Sequence, residues 1–248
     1  MKKQFCWFVC WLISTDCIGA DRPVLNLFTW STDLAPIVSL DEHTQQPWGI
    51  IIDVLASLPA DQQVDLNVIV HNRNRGEEAL YSGEVDAAPL ARRWLQYPDK
   101  LIYSLPVYVH REFLYATSKV ADKPFNVLLQ GKTVCTRRGY VYPVVEALFQ
   151  QGQAIRVDSH IEQTQFEMLL KGRCDYVLTN EFVGEWLIER NGWHHSVFRS
   201  ISVIDEVGFT LAFNPKWQTF VENLNKHIQQ LEQSKELLKI VNKQRKRM

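Results

Sequence analysis

Past its first twenty residues the chain is poor in cysteine, keeping only Cys135 and Cys174 of five. It has no excess of charge of either sign, with 27 lysines and arginines against 28 aspartates and glutamates. That near-neutral balance argues against a nucleic-acid partner, which would require a basic surface. Beyond the N-terminus no segment offers a run of about eighteen uncharged apolar residues, so the mature chain is expected to be soluble. Internal repeats, low-complexity linkers and blocks of like charge ahead of the terminal "KQRKRM" are also missing. So are His-Glu-x-x-His, Cys-x-x-Cys and Gly-x-Ser-x-Gly, the signatures of zinc hydrolases, dithiol sites and nucleophile elbows. His43, His71, His110, His160 and His227 fall at no ligand spacing. His194 and His195, being adjacent, would face opposite ways on a strand. No metal and no cofactor is expected.

What is present begins with "MKKQFCWFVCWLISTDCIGA". Two lysines, an apolar run from Phe5 to Ile13 and the small residues Gly19 and Ala20 have the layout of a secretory signal peptide. The run is too short to span a bilayer. Cleavage is expected after Ala20, with export to the periplasm. Ser14, Thr15 and Asp16 ahead of Cys17 make a poor lipid-attachment box. Loss of Lys2, Lys3 and Asp16 from the 27 basic and 28 acidic residues leaves a net charge near −2. The remaining length suffices for one large or two modest domains. An exported compartment permits a Cys135–Cys174 bridge. Both cysteines, however, read as lying in or beside strands of one sheet, where bridge geometry is unfavourable, and the balance is against it.

The stretch "LLQGKTVCTRRGY", Leu128 to Tyr140, contains Gly131-Lys132-Thr133 but is not a phosphate loop. Position 126 is Asn where a glycine is needed, and the β-branched run after Lys132 reads as a strand rather than a helix. Along the chain, "VLNLFTW" and "VDLNVIV" alternate as strands, "WGIIIDVLASL" is a turn feeding a helix, and a short helix around Glu77 to Tyr81 stops at Ser82-Gly83. "VDAAPL" is a small-residue strand, and "LIYSLPVYVHREFLYATS" crosses from one unit to another. Strand and helix then alternate afresh: strand 133–136, helix 143–151, strand 154–157, helix 162–171, strand 176–179, helix 181–190. Such alternation implies parallel sheets covered by helices. "GFTLAFN" from Gly208 is a further strand. A last helix from Pro215 carries the core-facing stripe Phe220, Leu224, Ile228 and Leu231. Two α/β units are therefore expected, joined by short crossings near 108–112 and 203–208.

The order of these features resembles the bacterial extracellular solute-binding proteins of family 3, the periplasmic receptors of polar amino-acid ABC transporters. The resemblance runs from Val24 to Val241 and rests on five segments in order: "PWGIIIDVL", "ALYSGEVDAAP", "IYSLPVY", "LLQGKTVCTRRGY" and "LLKGRCDYVLTN". It implies a periplasmic-binding-protein-like fold of type II, with two α/β lobes, a ligand cleft and a two-segment hinge. Lobe 1 would take residues 21–109 and 206–248, and lobe 2 residues 110–205. Gly131-Lys132 becomes a turn before the second lobe's first strand.

The cleft of such a fold lies at strand C-terminal ends. Members that hold an α-amino acid use an arginine for its carboxylate, a Ser or Thr after the second-lobe Gly, and an aspartate for its ammonium. Here those positions fall at Tyr97, at Tyr140 after Gly139, and at Asn180. Tyrosine cannot reproduce the bidentate guanidinium–carboxylate pair. A neutral amide leaves a buried ammonium unpaired, at a cost on the order of 3–5 kcal/mol. An ordinary free amino acid is thus a doubtful ligand. Arg92 and Arg93 follow one strand and Arg137 and Arg138 another; facing the cleft, they would attract an anion from both lobes. Trp30, Trp48, Tyr97, Tyr108, Tyr140 and Tyr142 gather at loop positions where rings can stack on a ligand. Asp33 sits in the first loop, where the family contacts ligand, and Glu181 lies at a strand end beside Asn180.

The expected activity is capture of a small polar or anionic ligand by a monomer, without catalysis. The closed form would be presented to an ABC permease or membrane receptor. Two alternatives use the same fold. One is a periplasmic enzyme resembling the dehydratase relatives of these proteins, with Glu181 as acid or base. The other is a sensory or accessory protein with no transporter.

Overall fold

The computed structural model describes residues 22–30 and 33–247, so the expected leader, residues 1–20, lies outside the described residues. The chain opens with β1 (Val24–Thr29), the short strands β2 (Asp33–Leu34), β3 (Val38–Leu40) and β4 (Pro47–Trp48), and helix α1 (Ile50–Ala56). Then come β5 (Asp65–Val70), α2 (Arg73–Ser82), β6 (Ala87–Ala88) and β7 (Ile102–Tyr103). The long strand β8 (Tyr108–Ala116) leads into α3 (Phe125–Leu128), β9 (Thr133–Arg137), α4 (Glu146–Gln150) and β10 (Ile155–Ser159). These are followed by α5 (Glu162–Leu170), β11 (Tyr176–Asn180), α6 (Glu181–Asn191), β12 (Phe198–Arg199) and β13 (Asp205–Phe209). The chain returns through β14 (Ala212–Phe213) to α7 (Gln218–Gln233) and α8 (Glu236–Lys246).

Two main sheets result. The first has the order β5-β1-β6-β14-β7 and the second β10-β9-β11-β8-β12, with β13 also paired to β8. β1, β5 and β6 run parallel, as do β9, β10 and β11, which is the arrangement the strand–helix alternation predicts. Alternate side chains on each strand enter different cores. Leu25 and Leu27 pack toward α1 and α7, while Phe28 joins Leu80 and Leu90 on the opposite face. In the second sheet Phe113, Tyr115 and Val177 lie on one side and Leu114, Leu178 and Val134 on the other. Each sheet is therefore buried on both faces, as parallel sheets require. At residue 76 only glycine fits, because an added Cβ would lie 2.0 Å from the Phe28 ring that α2 packs against.

Strand pairing changes sheet between Tyr103 and Tyr108 and again between Phe209 and Ala212. The two crossing segments run side by side, β8 and β13 pairing antiparallel from Tyr108↔Phe209 to Glu112↔Asp205. "GFTLAFN" is thus divided between both sheets rather than forming one strand. The expected short helix at 77–81 begins earlier, because Asn72 accepts a bond from the Arg75 N–H and caps it; Gly83, at φ 80°, ends it as the sequence suggests. The last helix is two helices, broken at Lys235 in a left-handed conformation (φ 62°), and α8 spans both halves. Its Lys243 and Gln244 bond Asp53 of α1, while Arg245 pairs with Glu185 of α6.

Cys135 and Cys174 form a disulfide, with Cα atoms 5.9 Å apart, which corrects the expectation against a bridge. Cys135 lies in β9, whereas Cys174 is two residues ahead of β11, so it approaches across the neighbouring strand's entry rather than from within a paired position. The bridge closes a loop with a separation of 39 residues. Reduction should lower the stability of this half of the molecule by about 2–4 kcal/mol. Urea denaturation with and without reductant measures this; coincident curves would show that the bridge contributes nothing.

Candidate functional site

The C-terminal ends of strands from both sheets meet around one cavity, as open parallel sheets dictate. Trp30 follows β1, Arg73 opens α2, Tyr140 and Tyr142 follow β9, and Thr179 and Asn180 end β11. The cavity measures about 50 Å³. A cavity needs roughly 10–15 Å³ to admit one water, so this is space for a few water-sized groups.

Two aromatic side chains close it from opposite sides. The Trp30 Nε1–H donates to the Tyr140 hydroxyl oxygen, and the rings meet edge to face with centroids 5.8 Å apart. Burial, and then the neighbouring Glu162 carboxylate, push the Tyr140 phenol far above its ordinary pKa, so it stays neutral and keeps its own proton to donate. Tyr142 is likewise held neutral by burial, its oxygen accepting the Arg137 N–H at 3.0 Å. The arginines around the cavity are each matched by a carboxylate. Arg73 donates to Glu77 at 3.2 Å and to the Trp94 carbonyl at 2.7 Å, and it lies 5.5 Å above the Trp30 ring. Arg137 pairs with Glu162.

The floor is built on β8, where His110 and Glu112, two residues apart, share a face. Asn180 fixes their chemistry. Its Oδ1 accepts the Phe182 N–H at 2.9 Å, capping α6, so its Nδ2 must be the atom that meets the Arg111 carbonyl at 3.3 Å and His110 Nδ1 at 3.0 Å. An amide N–H donor obliges Nδ1 to be an acceptor, which places the single imidazole proton on Nε2 and leaves His110 neutral. That Nε2 is buried without a hydrogen-bond partner among the described residues, and the Glu112 carboxylate is 3.6 Å away, too far for a hydrogen bond.

Of the sequence-predicted residues, Trp30, Tyr140, Tyr142 and Asn180 line the cavity together, and Arg137 stands behind Glu162. Tyr97 is half exposed against Tyr81, with the Lys100 ammonium 4.7 Å above its ring, because the 3-10 turn that follows carries it outward. Arg92 pairs with Asp99 on the surface, and Arg93 reaches Asp205 at 2.8 Å. Arg138 donates to His160 Nε2 at 3.1 Å. Asp33 pairs with Ser39 in β2, whose partner strand is β3. Glu181 is buried outside the cavity, 3.5 Å from Arg111 and 3.8 Å from Arg199. Arg73, Trp94, His110, Glu112 and Glu162 were not singled out. For His110 and Glu112 the usable signal was their alternate spacing on a strand beside the crossing.

The fold defined by these two sheets and the cleft between them is that of the periplasmic binding proteins. No protein-family model matches the chain, and no curated protein matches it in sequence. Solved structures match it in fold at low identity. One is the substrate-binding protein of an amino-acid ABC transporter, at TM-score 0.69 and 19% identity, covering 89% of this chain and 98% of that one. An amino-acid ABC transporter substrate-binding protein from Streptococcus pneumoniae, bound to L-arginine, gives 0.70 and 19% over 90% of this chain and 94% of the other. A histidine kinase sensor domain with similarity to periplasmic binding proteins gives 0.71 and 16%, over 90% and 96%.

Because Asn180 caps α6 and orients His110, Asn180→Ala should lower stability by about 1–2 kcal/mol. Chemical denaturation checks this, and an unchanged midpoint would remove the amide from the account.

Proposed function

We propose that the protein is an exported solute-binding protein that captures a small polar ligand by hinge closure. Lobe 1 comprises residues 21–109 and 206–248, and lobe 2 residues 110–205, hinged at the paired strands β8 and β13. The closed form is presented by a monomer, in the periplasm, to an ABC permease or membrane receptor. The observation that carries this reading is the contact of Trp30 with Tyr140 across a cavity floored by the crossing strands. Residues from both halves complete one site, so ligand affinity and closure are coupled. The likeness to amino-acid ABC transporter binding proteins supports the same role.

Of the arginines expected to draw an anion, Arg92, Arg93 and Arg137 each pair with a carboxylate and Arg138 with His160, so the polar half of the expected ligand class is the one proposed. An ancestral amino-acid-binding protein described as a precursor of cyclohexadienyl dehydratase also shares the fold (TM-score 0.67, 16% identity, over 89% of this chain and 94% of that one). The acid–base role considered for Glu181 is disfavoured by its place outside the cavity between two arginines. A sensory role is favoured by the kinase sensor likeness and differs only in which partner reads the closed form.

A ligand at 100 times its Kd should stabilise the protein by about 2.7 kcal/mol. In a thermal-shift screen of small polar metabolites at least one compound should raise the melting temperature by several degrees and be recovered unchanged. No shift from any compound would overturn the binding reading, and turnover of the compound would replace it with the enzyme.

A further inference from the structure

The cavity's charges do not cancel. Arg73 is matched by Glu77 and Arg137 by Glu162, but Glu112 has no cation among the described residues. Its only ion-pair contact within 4 Å among the described residues is with His110, whose Nδ1 is taken up by the Asn180 amide and which that bond holds neutral. Glu112 is 6% exposed and lines the cavity, and the His110 Nε2 beside it has no hydrogen-bond partner among the described residues. A buried carboxylate without a counter-charge is unfavourable until a proton or another cation reaches it. Beside the paired Arg73 and Glu162, the lining is rich in rings: Trp30 and Trp94 from one half, Tyr140 and Tyr142 from the other. Ring faces attract a desolvated cation, and the small volume sets its size.

Resting on the solute-binding reading above, we infer that the cleft takes a compact monovalent ammonium without a carboxylate, held by Glu112 inside the aromatic walls. A carboxylate on the ligand would need a guanidinium of its own, and those at the cavity are already matched. Opening of the hinge exposes Glu112 to water; closure removes that water, so the cation's arrival is what makes the closed form favourable.

The test is thermal shift and isothermal titration of the full exported chain with methylammonium and tetramethylammonium chlorides. Sodium acetate, glycine and sodium chloride at equal ionic strength are the comparisons. One of the two ammonium salts should raise the melting temperature where the comparison compounds do not. Glu112→Gln should weaken that binding at least tenfold, while the ligand-free variant melts no lower than the parent, because an unmatched charge has been removed. Trp94→Leu should weaken it as well and serves as the second variant. If acetate or glycine binds and neither ammonium does, the ligand class is wrong while the binding reading stands. If nothing in this set or in the metabolite screen binds, both fall. If Glu112→Gln binds the ammonium as tightly as the parent, Glu112 is not its partner and the inference fails.

Discussion

The Asn180 carboxamide is the constraint on which the cleft depends. It sits where β11 becomes α6, and the helix needs its oxygen as a cap. With the oxygen committed, its nitrogen can only donate, and it donates to His110 and to the Arg111 carbonyl. The imidazole is thereby held neutral, and the carboxylate next to it is left without a counter-charge among the described residues. Asn180 thus sets the electrostatics of the cleft through residues of β8.

The rest of the molecule holds this node in position. β8 carries His110 and Glu112 and pairs on one side with β11 and on the other with β13, so the floor of the cleft belongs to the most heavily paired strand. The rings of Tyr108 and Phe209 stack at 4.7 Å across the crossing, and Trp94 packs edge-on to His110 at 4.9 Å. Closure from the other side comes through Trp30 and Tyr140. α8 adds a second bridge, joining α1 to α6 through exposed ion pairs whose individual contributions are small.

Much of the fold was legible in the sequence because strand–helix alternation and double-sided burial leave a strong pattern. The elements from β9 to α6 fall within a few residues of expectation, and Gly131 does form the left-handed turn before β9. What was illegible depended on register. The Cys135–Cys174 approach follows from Cys174 lying just ahead of its strand, an offset that spacing alone does not reveal. Tyr97 was placed by alignment to an arginine position, but a 3-10 turn directs it to the surface. The arginine pairs were read from adjacency to strand ends, while their carboxylate partners Asp99, Asp205 and Glu162 lie 7 to 112 residues away along the chain. Within the cleft, Trp30, Tyr140, Tyr142 and Asn180 were found because strand C-terminal ends are marked in sequence; His110 and Glu112 were missed because a crossing strand carries no such mark.

The most direct measurement is the protonation of the His110 ring by nitrogen-15 NMR of the ligand-free protein near neutral pH. A neutral ring carrying its proton on Nε2 is the predicted result. A doubly protonated ring, or one with its proton on Nδ1, would supply Glu112 with a cation or break the Asn180 bond, and would contradict the account.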